Sequence, residues 1–124
     1  MKTNAVNWFE ISVNDLERAV TFYSKLFPQN SFERYEMEET QMAMFDGNPD
    51  IHGAAGVLIK HEHLKPSMEG TTVYFHCDDV NNQLAILEEL KAEILMPKTS
   101  IGEHGFIAQF VDCEGNRISL HSMK

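Results

Sequence analysis

The chain has 124 residues, of which 43% are hydrophobic and 23% are charged, and this length and composition predict one folded domain over residues 1–124. Nineteen acidic and ten basic residues give a formal net charge of −9, which disfavours nucleic acid and anionic membrane surfaces as partners. Sparse cysteines (Cys77 and Cys113), an N-terminus without an apolar segment and no apolar run of about 20 residues predict a cytoplasmic protein with free thiols.

The first half of the chain predicts a strand, a helix and three more strands. Apolar and polar residues alternate over residues 8–13, as in a half-buried strand. Asn14 with Glu17 matches a capping box, so the acidic residues here are interpreted as helix starters rather than catalytic carboxylates. Pro28 ends the helical pattern. Further strands are predicted at residues 31–37, 40–46 and 54–60.

The second half repeats the first, since residues 72–90 (TVYFHCDDVNNQLAILEEL) match residues 8–26 (WFEISVNDLERAVTFYSKL). Module one therefore covers about residues 4–62 and module two about residues 68–122, each in the order βαβββ. A single module would expose one face of its sheet. We therefore expect the two sheets to curve around a shared cavity, with the helices outside and a small-molecule ligand inside. The strands of module two are predicted at residues 93–97, 105–111 and 117–122.

Two motifs accompany the repeat: V-x-D-L-x-x-A-x-x-F-Y over residues 13–23 and D-x-x-G-N-x-I over residues 112–118. With them the chain resembles the vicinal oxygen chelate superfamily, which includes glyoxalase I, bleomycin-resistance proteins and extradiol dioxygenases. The segments NWFEI, PKTSIGEHGF and GNRISLHSM are similar to a glyoxalase-related bacterial branch of that superfamily. The resemblance implies an α+β fold of two βαβββ modules, the vicinal oxygen chelate fold, and a homodimer.

The resemblance also implies where metal-using members carry their ligands. These positions are early on the first strand of each module, here Trp8 and Thr72, on the final strand of module one (GAAGVLIK), and at Ser119 on the last strand. None of them holds Asp, Glu or His, the side chains that a divalent ion needs. We therefore predict neither a metal nor another cofactor, and we expect the usual glyoxalase mechanism to be absent.

A relocated metal site is the alternative, because Glu10, His76 and His121 share the inward-facing parity of the missing ligands. Two histidines and a carboxylate would suit zinc or ferrous iron in a metal-dependent lyase or dioxygenase. Strands rise about 3.3 Å per residue, which displaces Glu10 and His121 by about 7 Å and His76 by about 13 Å from the expected positions. We do not expect the three side chains to converge.

Glu10 is a carboxylate at an inward strand position, and three interpretations of it remain open. It could be a hydrogen-bonded partner of Arg117 or Tyr74, or an acid or base working with His76 or His121. It could also recognise a cationic or hydroxyl-bearing ligand. The acid/base interpretation would make the protein a metal-free, glyoxalase-like lyase or isomerase.

The remaining site predictions concern the lining of the cavity and the loops around it. Glu103 and His104 precede Gly105 in a loop at the cavity mouth, whereas the H-x-H pair His61 and His63 lies in a solvated linker. The leading prediction is a protein that binds a small organic molecule between its modules without the metal triad, and enzyme activity is left open. The predicted ligand-binding residues are Trp8, Tyr74, Ser119, Arg117 and Met44.

Overall fold

The computed structural model describes residues 4–48 and 50–124, and its elements follow the predicted βαβββ repeat. Neither α-helix in these residues is long and apolar enough to cross a membrane. Module one contains β1 (Trp8–Ser12), α1 (Leu16–Leu26), β2 (Glu33–Met37), β3 (Thr40–Met44) and β4 (Ala55–Lys60). Module two contains β5 (Tyr74–His76), α2 (Val80–Glu89), β6 (Ile94–Ser100), a 3-10 turn (Gly102–His104), β7 (Phe106–Val111) and β8 (Arg117–Ser122).

Each module folds into its own four-stranded sheet. Sheet 1 has the order β1-β4-β3-β2 and sheet 2 has the order β5-β8-β7-β6. In both sheets the first strand pairs in parallel with the last, and the other neighbours are antiparallel. The parallel pairing needs a long crossover, which the helix provides. The same topology therefore occurs twice, as the sequence repeat predicts.

One hydrophobic core joins the two modules. Phe22 and Tyr23 of α1 contact both sheets, because the Phe22 ring lies 6.2 Å from that of Phe110 in β7 and the Tyr23 ring lies 5.7 Å from that of Phe45, next to β3. Leu87 of α2 belongs to the same buried cluster. α1 therefore lies between the helix-facing sides of the two sheets. The predicted cavity shared by both sheets, with the helices outside, is not confirmed, because the sheets meet through their apolar, helix-facing sides.

The opposite side of each sheet, which we call its open face, points away from this core. Because side chains alternate along a strand, the neighbours of core residues such as Ile11 and Leu120 lie on the open faces. The open face of sheet 1 carries Trp8, Glu10, Ser12, Glu33, Tyr35, Met42, Met44, Val57 and Ile59. The open face of sheet 2 carries Tyr74, His76, Ile107, Gln109, Arg117, Ser119 and His121.

Both helices begin at an aspartate, but the predicted capping box is not formed. Asp15 caps α1 and Asp79 caps α2, each accepting a hydrogen bond from a backbone N–H of the first turn, at 3.0 and 2.9 Å. The cap of α1 is thus Asp15 rather than Asn14. Glu17 pairs with Arg34 of β2 at 2.6 Å, which draws its carboxylate away from the start of the helix.

The turn Asp112–Asn116, which we call the clamp, connects β7 to β8 and fastens module two to module one. The buried Asp112 carboxylate accepts hydrogen bonds from the Tyr23 hydroxyl at 2.7 Å and from two backbone N–H groups of the clamp itself, both at 2.9 Å. The Asn116 amide donates to the carbonyl oxygen of Ser12 at 2.8 Å. The D-x-x-G-N motif therefore works in this chain as a joint between the modules.

Glu114, in the clamp, binds the N-terminus of α1. Its Oε1 accepts hydrogen bonds from the N–H groups of Asn14 at 2.7 Å and Asp15 at 2.8 Å, and its Oε2 pairs with Arg18 Nε at 2.5 Å. A buried carboxylate at this end of a helix also interacts favourably with the helix dipole. Burial raises the pKa of Glu114, but the hydrogen bonds from Arg18, Asp15 and Asn14 together outweigh burial and bring its pKa below the ordinary value of 4.5.

The two cysteines are free thiols, as the sequence predicts. Cys77 follows β5 and is buried, and Cys113 lies in the clamp and is partly buried. Burial raises the pKa of each thiol to about 12. Neither side chain is therefore a reactive thiolate near neutral pH.

Replacing Glu114 with alanine should lower the free energy of unfolding by about 2–3 kcal/mol, because the partly buried N–H groups of Asn14 and Asp15 and the Arg18 guanidinium lose a charged acceptor. Urea unfolding followed by circular dichroism measures this change. The unfolded side chain takes up a proton at a higher pH than the folded one. The stability from Glu114 is therefore complete above pH 4.5 and is lost as the pH falls through the lowered folded pKa.

The control is Glu17→Gln, which removes the exposed pair with Arg34 and should leave the urea midpoint nearly unchanged. A Glu114→Ala variant as stable as the original chain at pH 7 would contradict the role given to the clamp.

Candidate ligand-binding site

The predicted site residues lie on the two open faces, which divides them into two groups. Trp8, Glu10 and Met44 are on sheet 1, where Trp8 is 45% exposed. Within one chain these residues are separated from the second group by the shared core. The second group is Tyr74, His76, Arg117, Ser119 and His121 on sheet 2, which we call the sheet 2 cluster.

The sheet 2 cluster is built on the parallel strands β5 and β8. Tyr74 is aligned with Ser119 and His76 with His121, so these residues form two adjacent cross-strand pairs. Arg117 lies one same-face position before Ser119 on β8. The cluster brings an aromatic ring, two imidazoles, a hydroxyl and a guanidinium together on a small area of one face.

Polar atoms at the base of the cluster are incompletely paired. Nη2 of Arg117 donates a hydrogen bond to the hydroxyl oxygen of Thr72 at 2.8 Å. Arg117 Nε and Ser119 Oγ are buried, and neither atom has a hydrogen-bond partner among residues 4–48 and 50–124. Most buried polar groups in proteins are hydrogen-bonded. These two atoms are therefore the clearest sign of a binding site on this face.

The 3-10 turn Gly102–His104 adjoins the cluster at one end. The carbonyl oxygen of His104 lies 2.6 Å from Nε2 of His121, and Nε2 carries the proton of this hydrogen bond because a carbonyl only accepts. Gly105 has φ +99°, and a Cβ there would collide with the backbone of β8, so the close approach needs glycine. The Glu103 and His104 side chains are largely exposed. The predicted mouth loop thus contacts the cluster through its backbone.

Glu10 stands apart from the sheet 2 cluster. It is exposed, so the desolvation cost expected for an inward carboxylate does not arise. In the described part of the chain it forms no hydrogen bond with Arg117, Tyr74 or a histidine, and Arg117 donates to Thr72. One subunit therefore does not assemble the predicted acid/base pair.

The open face of sheet 1 carries a small apolar layer that the sequence analysis missed. Val57 and Ile59 are 2% and 6% exposed, yet they lie outside the main core cluster. Their antiparallel partners on β3 are Met44 and Met42, which point to the same face. The signal was present in the sequence, because the run GVLI lacks the alternation of a half-exposed strand and is typical of a strand buried on both faces.

Two pockets lined by described residues lie at the edges of the molecule. One, of about 340 Å³, is formed by the loop between β3 and β4 and includes Asp46 and His52. Another, of about 430 Å³, lies where β4 meets the linker and includes Lys60 and His61. Neither contains a member of the sheet 2 cluster. The exposed rings of Trp8 and Tyr74 make the open faces accessible in a single chain.

The positions expected to hold a divalent ion carry side chains that do not fit one. Trp8 is an indole, the Thr72 hydroxyl already accepts a hydrogen bond from Arg117, and Ser119 offers only a neutral hydroxyl. A divalent ion prefers carboxylates, imidazoles or thiolates. The residues at the family positions therefore do not form a metal site of the usual chemistry.

The relocated metal site is not formed within one subunit. Among residues 4–48 and 50–124 of a single chain, no three His, Cys, Asp or Glu side chains lie close enough to hold a metal ion together, and Glu10 is separated from His76 and His121. His61 and His63 have ring centroids 5.3 Å apart, but both lie on the linker and Nδ1 of His61 accepts a hydrogen bond from the His63 backbone.

Two βαβββ modules with this strand order define a domain of the glyoxalase type. The model of the Glyoxalase/Bleomycin resistance protein/Dioxygenase superfamily matches residues 5–120, and the chain belongs to this superfamily. The resemblance read from the sequence is confirmed at this level. No curated protein matches the chain.

Solved structures share this fold at low identity. A glyoxylase/bleomycin resistance protein/dioxygenase domain from Frankia sp. EAN1pec is 16% identical, with 98% of each chain covered and a TM-score of 0.74. TnmS3, an antibiotic binding protein from Streptomyces sp. CB03234, is 23% identical over 100% of this chain and 99% of its own, with a TM-score of 0.68. The trypanothione-dependent glyoxalase I of Leishmania major is 18% identical over 98% of this chain and 88% of its own, with a TM-score of 0.70.

Protein purified without a metal-affinity tag should contain far less than one divalent metal ion per chain, because the donor set is unsuitable. Inductively coupled plasma mass spectrometry measures the content, and excess EDTA should leave the melting temperature unchanged. Near-stoichiometric zinc, iron, nickel or manganese that stabilises the protein would contradict this expectation.

Proposed function

We propose that this protein binds a small organic molecule as a homodimer and does not use a metal ion. In this proposal the pocket forms between the open face of sheet 1 in one subunit and the open face of sheet 2 in the other. The observation that carries it is that both sheets pack on one shared core and turn their open faces away from it. A single chain presents both halves of a pocket but does not bring them together.

Exposed aromatic and apolar side chains on both faces support an interface. Trp8 is 45% exposed, Tyr35 is 43% exposed and Met37 is 65% exposed on sheet 1, and Tyr74 is 49% exposed on sheet 2. Apolar side chains of this size on a sheet face commonly mark an interaction site. Aromatic residues are also the usual anchors of binding surfaces.

The charges of the two faces favour pairing unlike faces in a second copy. The open face of sheet 1 carries Glu10 and Glu33 and no basic residue, whereas that of sheet 2 carries Arg117 and no acidic residue. Unlike faces attract and like faces repel. A two-fold dimer that pairs unlike faces would use each face once per subunit and so would contain two equal pockets.

Binding is favoured over catalysis by the side chains at the metal-ligand positions that the resemblance implies. Trp8, Thr72 and Ser119 do not suit a divalent ion, so these positions do not hold an ion that could activate a substrate. Within one subunit Glu10 lies across the core from His76 and His121, so an acid/base pair would need the partner subunit. TnmS3, which shares this fold, is an antibiotic binding protein, and this agrees with a binding function. The two free thiols favour the cytoplasmic setting predicted from the sequence.

Sedimentation equilibrium should find a dimer. Trp8→Glu or Tyr74→Glu should weaken it at least about tenfold, because each places a charge in the proposed interface. Ile51→Glu is the matched control, since Ile51 is 65% exposed in the loop between β3 and β4 and lies on neither open face. A monomer at all concentrations, or equal weakening by the Ile51 variant, would contradict the proposed dimer.

The chain has one tryptophan, so Trp8 reports directly on the proposed pocket. A panel of small aromatic molecules of all charge types should contain members that change Trp8 emission and raise the melting temperature. Tyr74→Ala should reduce both effects without unfolding the protein, which circular dichroism checks. Ligands that stabilise the protein without any change in Trp8 emission would move the binding site elsewhere.

A further inference from the structure

We infer that the ligand is an organic carboxylate, whose anionic group binds Arg117 and Ser119 on the open face of sheet 2. This inference rests on the proposed function and adds the chemical class of the ligand. Buried hydrogen-bond donors, the distribution of acidic residues and the position of Arg117 support it.

Two adjacent buried groups on β8 need a hydrogen-bond partner. Ser119 is 0% exposed and its hydroxyl has no partner in the described residues, and the same holds for the Nε–H of Arg117. Leaving such groups unpaired is costly for the fold. The Nε–H can only donate, and the hydroxyl can donate as well. The partner they require is therefore an acceptor.

Sheet 2 also lacks the acidic residues that dominate the rest of the chain. Its strands β5–β8 contain no Asp or Glu, although the chain has nineteen acidic residues and a net charge of −9. The basic and imidazole side chains of these strands are Lys98, Arg117, His76 and His121. Lys98 is paired with Asp79 at 3.1 Å. Arg117 is thus a fixed positive charge on this face without a carboxylate partner among the described residues.

Arg117 lies beside two polar side chains of the open face of sheet 2. It donates to the Thr72 hydroxyl at 2.8 Å and lies two residues from Ser119 on the same face. The contact with Thr72 fixes the guanidinium, so its charge stands next to the unpaired Ser119 hydroxyl.

A carboxylate fits these donors better than the cationic ligand considered for Glu10. Its two oxygens can accept from Nε–H and from the Ser119 hydroxyl, and hydrogen bonds between a guanidinium and a carboxylate are among the stronger ones in proteins. The Tyr74 ring, aligned with Ser119, provides an adjacent surface for the organic part of the ligand.

Calorimetric titration of the dimer with benzoate, benzamide, benzylamine and inorganic phosphate tests the inference. Benzoate should bind once per subunit and at least about tenfold more tightly than the other three, because only benzoate combines the planar anion with the ring. Arg117→Met should weaken benzoate binding about ten- to a hundredfold. Arg117→Lys keeps the positive charge but not the planar set of N–H donors, and it should restore only part of the lost affinity. Arg34→Met, on the other sheet, is the control and should bind as the original chain does.

Ser119→Ala separates a binding role from a structural one. Removing a buried hydroxyl without a partner should leave the free protein as stable or more stable, while benzoate binding weakens about three- to tenfold. A loss of stability without a loss of affinity would assign Ser119 to the fold and contradict the inference.

Glu10 of the partner subunit is the competing partner for Arg117. Carboxylate binding that appears only after Glu10→Gln would mean that the two side chains pair across the dimer, and it would overturn the inference. Benzamide or phosphate binding as tightly as benzoate would also overturn it. If neutral molecules bind and change Trp8 emission but benzoate does not, the inference of a carboxylate ligand is wrong and the proposed binding function stands. If the dimer binds no probe in either assay, both the inference and the proposed function are wrong.

Discussion

The buried carboxylate of Glu114 at the N-terminus of α1 is the contact on which the arrangement of the two modules depends. It satisfies two N–H groups of module one from a turn in module two, and the neighbouring Asp112 accepts from Tyr23 across the same boundary. These contacts hold α1 against sheet 2 as well as sheet 1. Because the helix-facing sides of the sheets are used in this way, the open faces are left for other molecules.

The sequence predicted the elements well because their signals are local. The alternation along residues 8–13 correctly predicted that Ile11 is buried and that Glu10 lies on the other side of the strand. The repeat predicted the same alternation in β5. Local signals do not reveal which sides of two sheets meet. Each module has an apolar side and a mixed side, and the partners of Asp112 and Glu114 are separated from them by about ninety to a hundred positions. The packing of the modules was therefore missed although the strands and helices were not.

For the candidate site, the sequence predicted which side chains share a face but not how the faces are arranged. The alternation predicted that Tyr74, Ser119 and His121 share a face, and they do. It did not predict that Glu10 is exposed and separated from them by the core. The missing partners of Arg117 Nε and Ser119 Oγ could not be predicted either. Hydrogen-bond satisfaction depends on atoms brought together by packing, which residue spacing does not encode.

The side chains Arg117, Thr72 and Ser119 also limit what chemistry the open face of sheet 2 can perform. A divalent ion supplies positive charge together with a coordination position at which water or substrate is activated. A guanidinium supplies the charge and directed donors, but it has no coordination position and does not give up a proton near neutral pH. A site of this kind can hold and orient an anion without activating it. The side chains present on sheet 2 thus suit the recognition of an anion rather than its activation.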